Sequence, residues 1–156
     1  MKTLVVYYSR TGNTRKAGKK IAGMLNADVE EIVDLKDRSG ILGYMLSGRD
    51  ASLNRQAEIK TSFDASLYDL VVVGTPVWAF TVSSPVRTYL LQNKDKFREL
   101  AFFCTQGGSG GKRAFKAMEQ LSGKKPAAVL ELNEKEAVGE SGGIKIKKFA
   151  DELKSA

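Results

Sequence analysis

Residues 5–21, VVYYSRTGNTRKAGKKI, join an apolar strand to an amphipathic helix through one polar turn. The strand side is a short apolar run, which is typical of a strand covered on both faces. The helix side places Ala17 and Ile21 on one stripe and its basic residues elsewhere. The turn between them gathers several hydroxyls around a single glycine. The chain therefore opens with a strand–turn–helix unit.

The same alternation of strand and helix continues along the chain of 156 residues. Repeated strand–helix units predict an α/β fold with a parallel sheet covered on both faces. We expect a three-layer, doubly wound, five-stranded parallel sheet with the strand order 2-1-3-4-5, and a single domain spanning residues 1–156. The strands are predicted at 2–8, 28–35, 69–75, 99–105 and 127–132.

Helices are predicted between these strands. The first covers 14–26, another begins with Ser84 as its cap, a third follows the glycines up to Gly111, and Ser141 is a candidate cap of the last. Residues 36–66 stand where the second helix belongs but contain three glycines and an apolar patch. We expect a short, irregular helix with long flanks there. Its apolar stretch 41–46 is either a lid over a ligand or a helix packed on the core.

The composition excludes several kinds of chemistry. The chain has no histidine and one cysteine, Cys104, so Ser–His catalysis, histidine metal sites and internal disulfides are ruled out. A cofactor is therefore expected to supply any chemistry. Cys104 ends a buried strand and is expected to be an inert core thiol. With no signal-type leader and no apolar run of roughly 18 residues, we predict a cytoplasmic protein without a membrane span.

The net charge of +7 comes from basic residues scattered along the chain. This distribution favours solvated helix faces, with attraction for an anionic ligand or an acidic partner protein as the alternative. Nucleic-acid binding is not predicted, because the lysines lack aromatic interleaving and no recognised motif is present.

The turn after the first strand suits an anion. A helix N-terminus offers unpaired N–H groups and a partial positive charge, which favour a phosphate. A cap needs one hydroxyl, whereas this turn has several, so we favour anion binding over simple capping. The candidate residues are Ser9, Arg10, Thr11, Gly12, Asn13 and Thr14.

Two further loops are expected at the same edge. In the predicted strand order, ligands bind beyond the carboxyl ends of the strands, at the switch between strands 1 and 3. Residues 75–80 place the only tryptophan, Trp78, at that switch, where it either forms a wall for a planar group or folds back onto the core. Residues 105–111 are rich in glycine, which lets the backbone approach a ligand closely. This loop fails the Walker A pattern, because Gln106 and Arg113 stand where glycine and a hydroxyl residue are required.

With these three loops the chain resembles the flavodoxin-like FMN-binding family. The matching motifs are SRTGNT at 9–14, TPVW at 75–78 and TQGGSGG at 105–111. The resemblance implies that the first motif holds the FMN phosphate. It further implies that Thr75, Pro76, Val77 and Trp78 line the isoalloxazine, and that Thr105, Gln106, Gly107, Gly108, Ser109 and Gly110 border its other edge.

The resemblance leaves two redox functions open. Electron-carrier flavodoxins are typically acidic and stack an aromatic ring from the third loop on the flavin, whereas this chain is basic and has no aromatic residue between Cys104 and Phe115. An open flavin face would favour an NAD(P)H- or quinone-linked oxidoreductase over an electron carrier served by a redox partner protein. Alternatively, Tyr44, Met45 or the second subunit of a homodimer covers that face. A non-enzymatic phosphate-sensing or interaction module on the same fold is the alternative from another class.

Overall fold

The structure is a computed structural model that describes residues 1–155. In chain order its elements are β1 (Thr3–Tyr7), α1 (Asn13–Leu25), β2 (Asp28–Glu31), β3 (Val33–Asp34), α2 (Gly40–Ser52), β4 (Ile59–Lys60), β5 (Leu70–Trp78), β6 (Thr81–Val82), α3 (Ser84–Asn93), β7 (Glu99–Gln106), α4 (Gly111–Ser122), β8 (Val129–Asn133), α5 (Glu134–Val138) and α6 (Gly143–Lys154).

The main sheet has the predicted topology. Its parallel strands follow the order β2-β1-β5-β7-β8, which is the order 2-1-3-4-5 when these five strands are numbered along the chain. The order reverses between β1 and β5, so the turns after these two strands leave the sheet side by side. The α/β, doubly wound fold predicted from the sequence is confirmed.

The core lies on both faces of this sheet. Successive residues of β1 point to opposite faces, so Leu4 and Val6 enter one apolar cluster while Val5 and Tyr7 enter the other. Helices α2, α3 and α4 contribute to the first cluster, and α1, α5 and α6 to the second. A sheet covered in this way needs continuous apolar strands, which is why the sequence pattern was informative.

Two predicted strand and loop boundaries were wrong. The segment 28–35 divides, because Val33–Asp34 leaves the main sheet and pairs with β4. The predicted loop at 75–80 is strand as far as Trp78. There β5 doubles back on β6, with Val77 opposite Val82, and this short antiparallel pair satisfies backbone groups that a loop would leave free.

Two predicted helix caps were also wrong. Helix α3 begins at Ser84 with Ser83 as its N-cap residue, and α6 begins at Gly143 after a 3₁₀ turn that contains Ser141. The reason for the second shift is the extra helix α5. In its capping box the Glu136 N–H donates to the side chain of Asn133 at 2.8 Å, so the chain turns helical before Ser141 is reached.

Helix α2 is regular over thirteen residues, not short and irregular as predicted. It turns a small and polar face inward, formed by Gly43, Ser47, Asp50 and Ala51. Its apolar residues point outward instead: Ile41, Leu42, Tyr44 and Met45 are all exposed, Ile41 by 83%. The sequence pattern misled because this helix is anchored by polar contacts and not by an apolar stripe.

Candidate functional site

The turn between β1 and α1 forms an anion cradle. Gly12 has φ +106°, a left-handed conformation that other residues rarely adopt, and it stands at the N-cap of α1. Its N–H donates to Ser9 Oγ at 3.0 Å, which closes the turn. The next N–H groups, at the start of α1, have no partner within the helix and share its positive end. Such a turn suits a phosphate.

A groove runs from this cradle along the carboxyl ends of the central strands. Its volume is about 120 Å³. It brings together residues from all three predicted loops. The lining residues are Arg10, Thr11, Asn13, Thr14, Tyr44, Pro76, Val77, Trp78, Thr105, Gln106, Gly107 and Glu134.

Several predicted site residues lie off the groove wall. Ser9 and Gly12 shape the turn behind it, and Thr75 is fully buried, with its hydroxyl donating to the Pro76 carbonyl at 2.8 Å. Ser109 and Gly110 line a different cavity, of about 420 Å³, which is bounded by Phe80 and the start of α4. Gly108 lines neither space. Ser9 and Gly12 still act on the cradle, because the Gly12 N–H donates to Ser9 Oγ and closes the turn.

The Trp78 side chain packs onto the core and also lines the groove. Its side chain is only 8% exposed, and its ring meets the Tyr8 ring edge to face with centroids 5.5 Å apart. The guanidinium of Arg38 lies 5.1 Å from the centre of the indole. Burial, followed by the charge of Asp34, raises the pKa of Tyr8 to about 12, so this ring stays neutral. Trp78 therefore packs onto the core and also lines the groove, while its role as a wall for a planar group stays a prediction.

The rim of the groove is formed by Arg10 and Tyr44. The Arg10 guanidinium lies 5.4 Å from the centre of the Tyr44 ring, and Arg10 Nη1 donates to the Arg38 carbonyl at 3.2 Å. Tyr44 itself is 66% exposed. The stretch 41–46 thus presents one aromatic residue to the groove while the helix that carries it packs on the sheet, so neither of the two sequence interpretations describes it alone.

The third loop is held by Gln106. Its side-chain amide donates to Glu131 on β8 and accepts a hydrogen bond from the Gly111 N–H at 3.0 Å. Glu134, at the start of α5, lies beside Gly107 and adds the one carboxylate on the groove wall. Neither glutamate was among the residues predicted from the sequence. Glu134 offered a signal, since it directly follows the fifth strand and hence lies at the same sheet edge.

The site fits a phosphorylated planar group in two respects. The cradle supplies backbone N–H groups, hydroxyls and the nearby charge of Arg10, and the Pro76–Trp78 segment supplies a flat wall. The volume of the groove is smaller than the ~300 Å³ that marks the lower end of cofactor pocket volumes. A tricyclic ring therefore requires the groove to widen, and the exposed Tyr44 stands at its rim.

A larger cavity of about 430 Å³ lies behind α2, between Lys36, Asp50 and Arg55. It is walled by charged groups that already pair with one another, including Lys36 with Asp50 at 3.0 Å. It has neither a helix N-terminus nor a planar wall. We therefore place the functional site in the smaller groove.

Cys104 takes no part in the groove. It is fully buried on β7, and desolvation, followed by the charge of Glu131, raises the pKa of its thiol to about 12. It is a core thiol, as predicted.

The family follows from comparison with known proteins. A family model described as flavodoxin matches residues 2–152. The chain therefore belongs to the flavodoxin family, and the resemblance carried by the three loops is confirmed. No curated protein is similar enough in sequence to count as a match.

Solved structures agree with this assignment. A flavoprotein from Lactobacillus acidophilus NCFM, solved in complex with FMN, is 26% identical, covering 92% of this chain and 97% of its own with a TM-score of 0.74. Megasphaera elsdenii flavodoxin is 17% identical, covering 99% of both chains with a TM-score of 0.63. Flavodoxin 2 from Bacillus cereus is 15% identical, also covering 99% of both chains with a TM-score of 0.63. The last two show the fold alone.

Within residues 1–155, each helix is too short or too polar to cross a membrane.

Proposed function

We propose that this protein binds FMN in the groove and uses it to transfer electrons. Membership of the flavodoxin family supports this cofactor, and so does the FMN complex of the Lactobacillus acidophilus flavoprotein. The observation that carries the proposal is the anion cradle at Gly12 beside the Pro76–Trp78 wall, in one groove at the switch point of the sheet.

The groove residues have distinct roles in this proposal. Thr11, Asn13 and Thr14, with the first N–H groups of α1, hold the phosphate. Pro76, Val77 and Trp78 line one face of the ring. Gln106 and Gly107 present main-chain groups to the pyrimidine edge. FMN supplies the redox chemistry, while the protein orients the ring and controls which molecules reach it.

We further propose an FMN-dependent oxidoreductase that takes electrons from NAD(P)H and passes them to a quinone-like acceptor. The third loop, 105–111, carries no aromatic side chain that could cover the flavin. The one aromatic at the opposite rim, Tyr44, is 66% exposed. A ring face that is open in this way admits a small planar reactant.

An electron carrier is the second candidate, and a separate observation favours it. The exposed face of α2, formed by Ile41, Leu42, Tyr44 and Met45, adjoins the groove. Exposed apolar surface of this kind is typical of protein contacts. With a net charge of +7, the chain suits an acidic redox partner. A homodimer whose second subunit covers the flavin face, a cytoplasmic location and a single-domain organisation remain predictions of the sequence.

Flavin titration and turnover test the proposal. Adding FMN to the purified protein should quench flavin or Trp78 fluorescence, and the complex should be yellow. Rapid NAD(P)H oxidation with a quinone would support the reductase, whereas slow turnover with two resolved one-electron reduction steps would support the carrier. Unchanged flavin fluorescence at micromolar protein would refute both, and binding of inorganic phosphate without flavin would favour the phosphate-sensing module.

A further inference from the structure

Arg38 is a buried cation outside the groove wall. Its side chain is only 2% exposed, although it lies in an irregular segment between β3 and α2. Its guanidinium donates to the carboxylate of Asp34, to Asp50 Oδ2 at 3.1 Å and to Ser47 Oγ at 3.4 Å. A buried charge is tolerated only when it is paired and hydrogen-bonded in this way. A protein in which well-packed apolar residues replace a buried ion pair is often at least as stable. Stability alone therefore does not account for Arg38.

The same guanidinium faces the indole of Trp78 at 5.1 Å. A cation over a tryptophan face is attracted by the ring electrons, and the attraction grows when both groups are shielded from water. Tyr8 meets the indole from another direction. Trp78 is thus held by two neighbours and contributes its remaining surface to the groove.

The backbone of Arg38 also reaches the rim. Its carbonyl accepts the hydrogen bond from Arg10, whose guanidinium lies over Tyr44. Helix α2 passes so close that a Cβ added to Gly43 would lie 2.1 Å from that carbonyl oxygen. One residue therefore touches the wall of the groove through its side chain and the rim through its main chain.

We propose that Arg38 is a positioning residue that orients Trp78 and the Arg10–Tyr44 rim, and thereby sets the affinity of the site for the flavin ring. This rests on the proposed function. Asp34 and Asp50 serve to aim the guanidinium at the indole. Because Arg38 contacts Arg10 only through its main-chain carbonyl, replacing the side chain leaves that bond in place. The contribution of the side chain therefore concerns the ring and not the phosphate.

Replacing Arg38 with methionine tests this, since Trp78 is the only tryptophan in the chain. In the flavin-free Arg38→Met variant, tryptophan emission should shift to longer wavelength as the indole loses its cover. Riboflavin and FMN affinity should both fall by about tenfold, leaving their ratio unchanged. The matched control is Arg87→Met, which removes an arginine that is only 8% exposed, on α3, hydrogen-bonded to Asn54. It should leave emission and flavin affinity as in the wild type.

Wild-type emission and riboflavin affinity in Arg38→Met would overturn the proposal. A loss of FMN affinity larger than the loss of riboflavin affinity would also overturn it.

If Arg38→Met fails to fold, Arg38→Lys keeps the positive charge but not the planar guanidinium. Combined with Trp78→Phe, it should give non-additive losses of riboflavin affinity, and additive losses would overturn the proposal. If the wild type binds no flavin, the proposed function fails, while the emission of the flavin-free variants still decides whether Arg38 orients Trp78.

Discussion

The hydroxyl oxygens of Thr14 and Thr105 lie 2.8 Å apart and share a buried hydrogen bond, although the residues are 91 positions apart in the chain. Thr14 belongs to the first turn of α1, and Thr105 lies near the end of β7. The bond ties the anion cradle to the third loop. Both residues also line the groove, so the same pair fixes the relative position of its two sides.

This pair should show measurable coupling in stability. Thr14→Val and Thr105→Val each leave one buried hydroxyl without its partner, at a cost of about 1–2 kcal/mol in the free energy of unfolding. The double variant should cost about 1 kcal/mol less than the sum. Urea unfolding of flavin-free protein measures this. Thr11→Val, at an exposed position in the same turn, should change stability by no more than about 0.5 kcal/mol. Strict additivity would contradict a direct bond.

The cradle should distinguish FMN from riboflavin. Replacing Thr11 and Thr14 together with alanine removes two hydroxyls from the phosphate site, and hydrogen bonds to a charged group are worth about 1.5–3 kcal/mol each. FMN affinity should fall by a factor of about 100 or more. Riboflavin affinity should fall much less, because riboflavin loses only the effect of the broken bond between Thr14 and Thr105. Fluorescence titration with both flavins measures the ratio. Ser66→Ala, whose hydroxyl bonds to Asp64 before β5 begins, is the control. Equal losses for both flavins would argue against phosphate binding here.

Tyr44 should control entry to the groove. Tyr44→Ala removes the aromatic part of the rim, so FMN should associate faster, and the bound ring should react more readily with small oxidants. Stopped-flow fluorescence measures the association rate. Ile41→Ala is a matched control, because Ile41 is 83% exposed on the same helix and does not line the groove. Identical association rates in wild type and Tyr44→Ala would show that the rim does not limit entry.

Asp50 should make the free energy of unfolding depend on pH. Burial alone would raise the pKa of this carboxyl, but hydrogen bonds and charges from Lys36 and Arg38 together hold it below its ordinary value of 3.8. Because the pKa of Asp50 is lower in the folded than in the unfolded protein, its carboxylate stabilises the fold at pH values above 3.8. This stabilisation is lost as the pH falls through the lowered pKa of the folded state. Asp50→Asn should therefore be less stable at pH 7, by on the order of 3 kcal/mol, and lose less stability on acidification.

The control for Asp50 is Asp151, an exposed carboxylate paired with Lys147. Asp151→Asn should change the free energy of unfolding at pH 7 by less than about 1 kcal/mol. Denaturant melts at several pH values compare the two variants. Parallel pH profiles for wild type and Asp50→Asn would refute the role of the buried carboxylate.

The lone thiol should be inert in the folded protein. Cys104 is fully buried, and desolvation raises its pKa to about 12, so very little thiolate is present or accessible at pH 8. Labelling with a thiol reagent should be at least about 100-fold slower than in the denatured chain. Similar rates under both conditions would place Cys104 in an open or frequently opening region. FMN binding should be unaffected by mild alkylating treatment of the folded protein.

Local patterns were sufficient to predict the fold and the meeting of three chain segments in one groove. The five apolar strands alternate with helices, and a right-handed parallel arrangement of such units leaves few strand orders. Because parallel strands end at one edge, the segments 9–14, 75–78 and 105–111 had to meet. Each of these inferences depends on residues close together in sequence, where the periodicity and turn chemistry are set by the chain itself.

Contacts between distant segments decided the rest. The placement of Arg38 against Trp78 and the bond from Thr14 to Thr105 have no local signature. Helix α2 shows the reason most clearly. Its inward face is polar because Asp50 meets Arg38, so the apolar stripe that normally indicates a buried face lies outside. Such pairings are selected by geometry after the elements pack, and a pattern read along the chain carries no information about them.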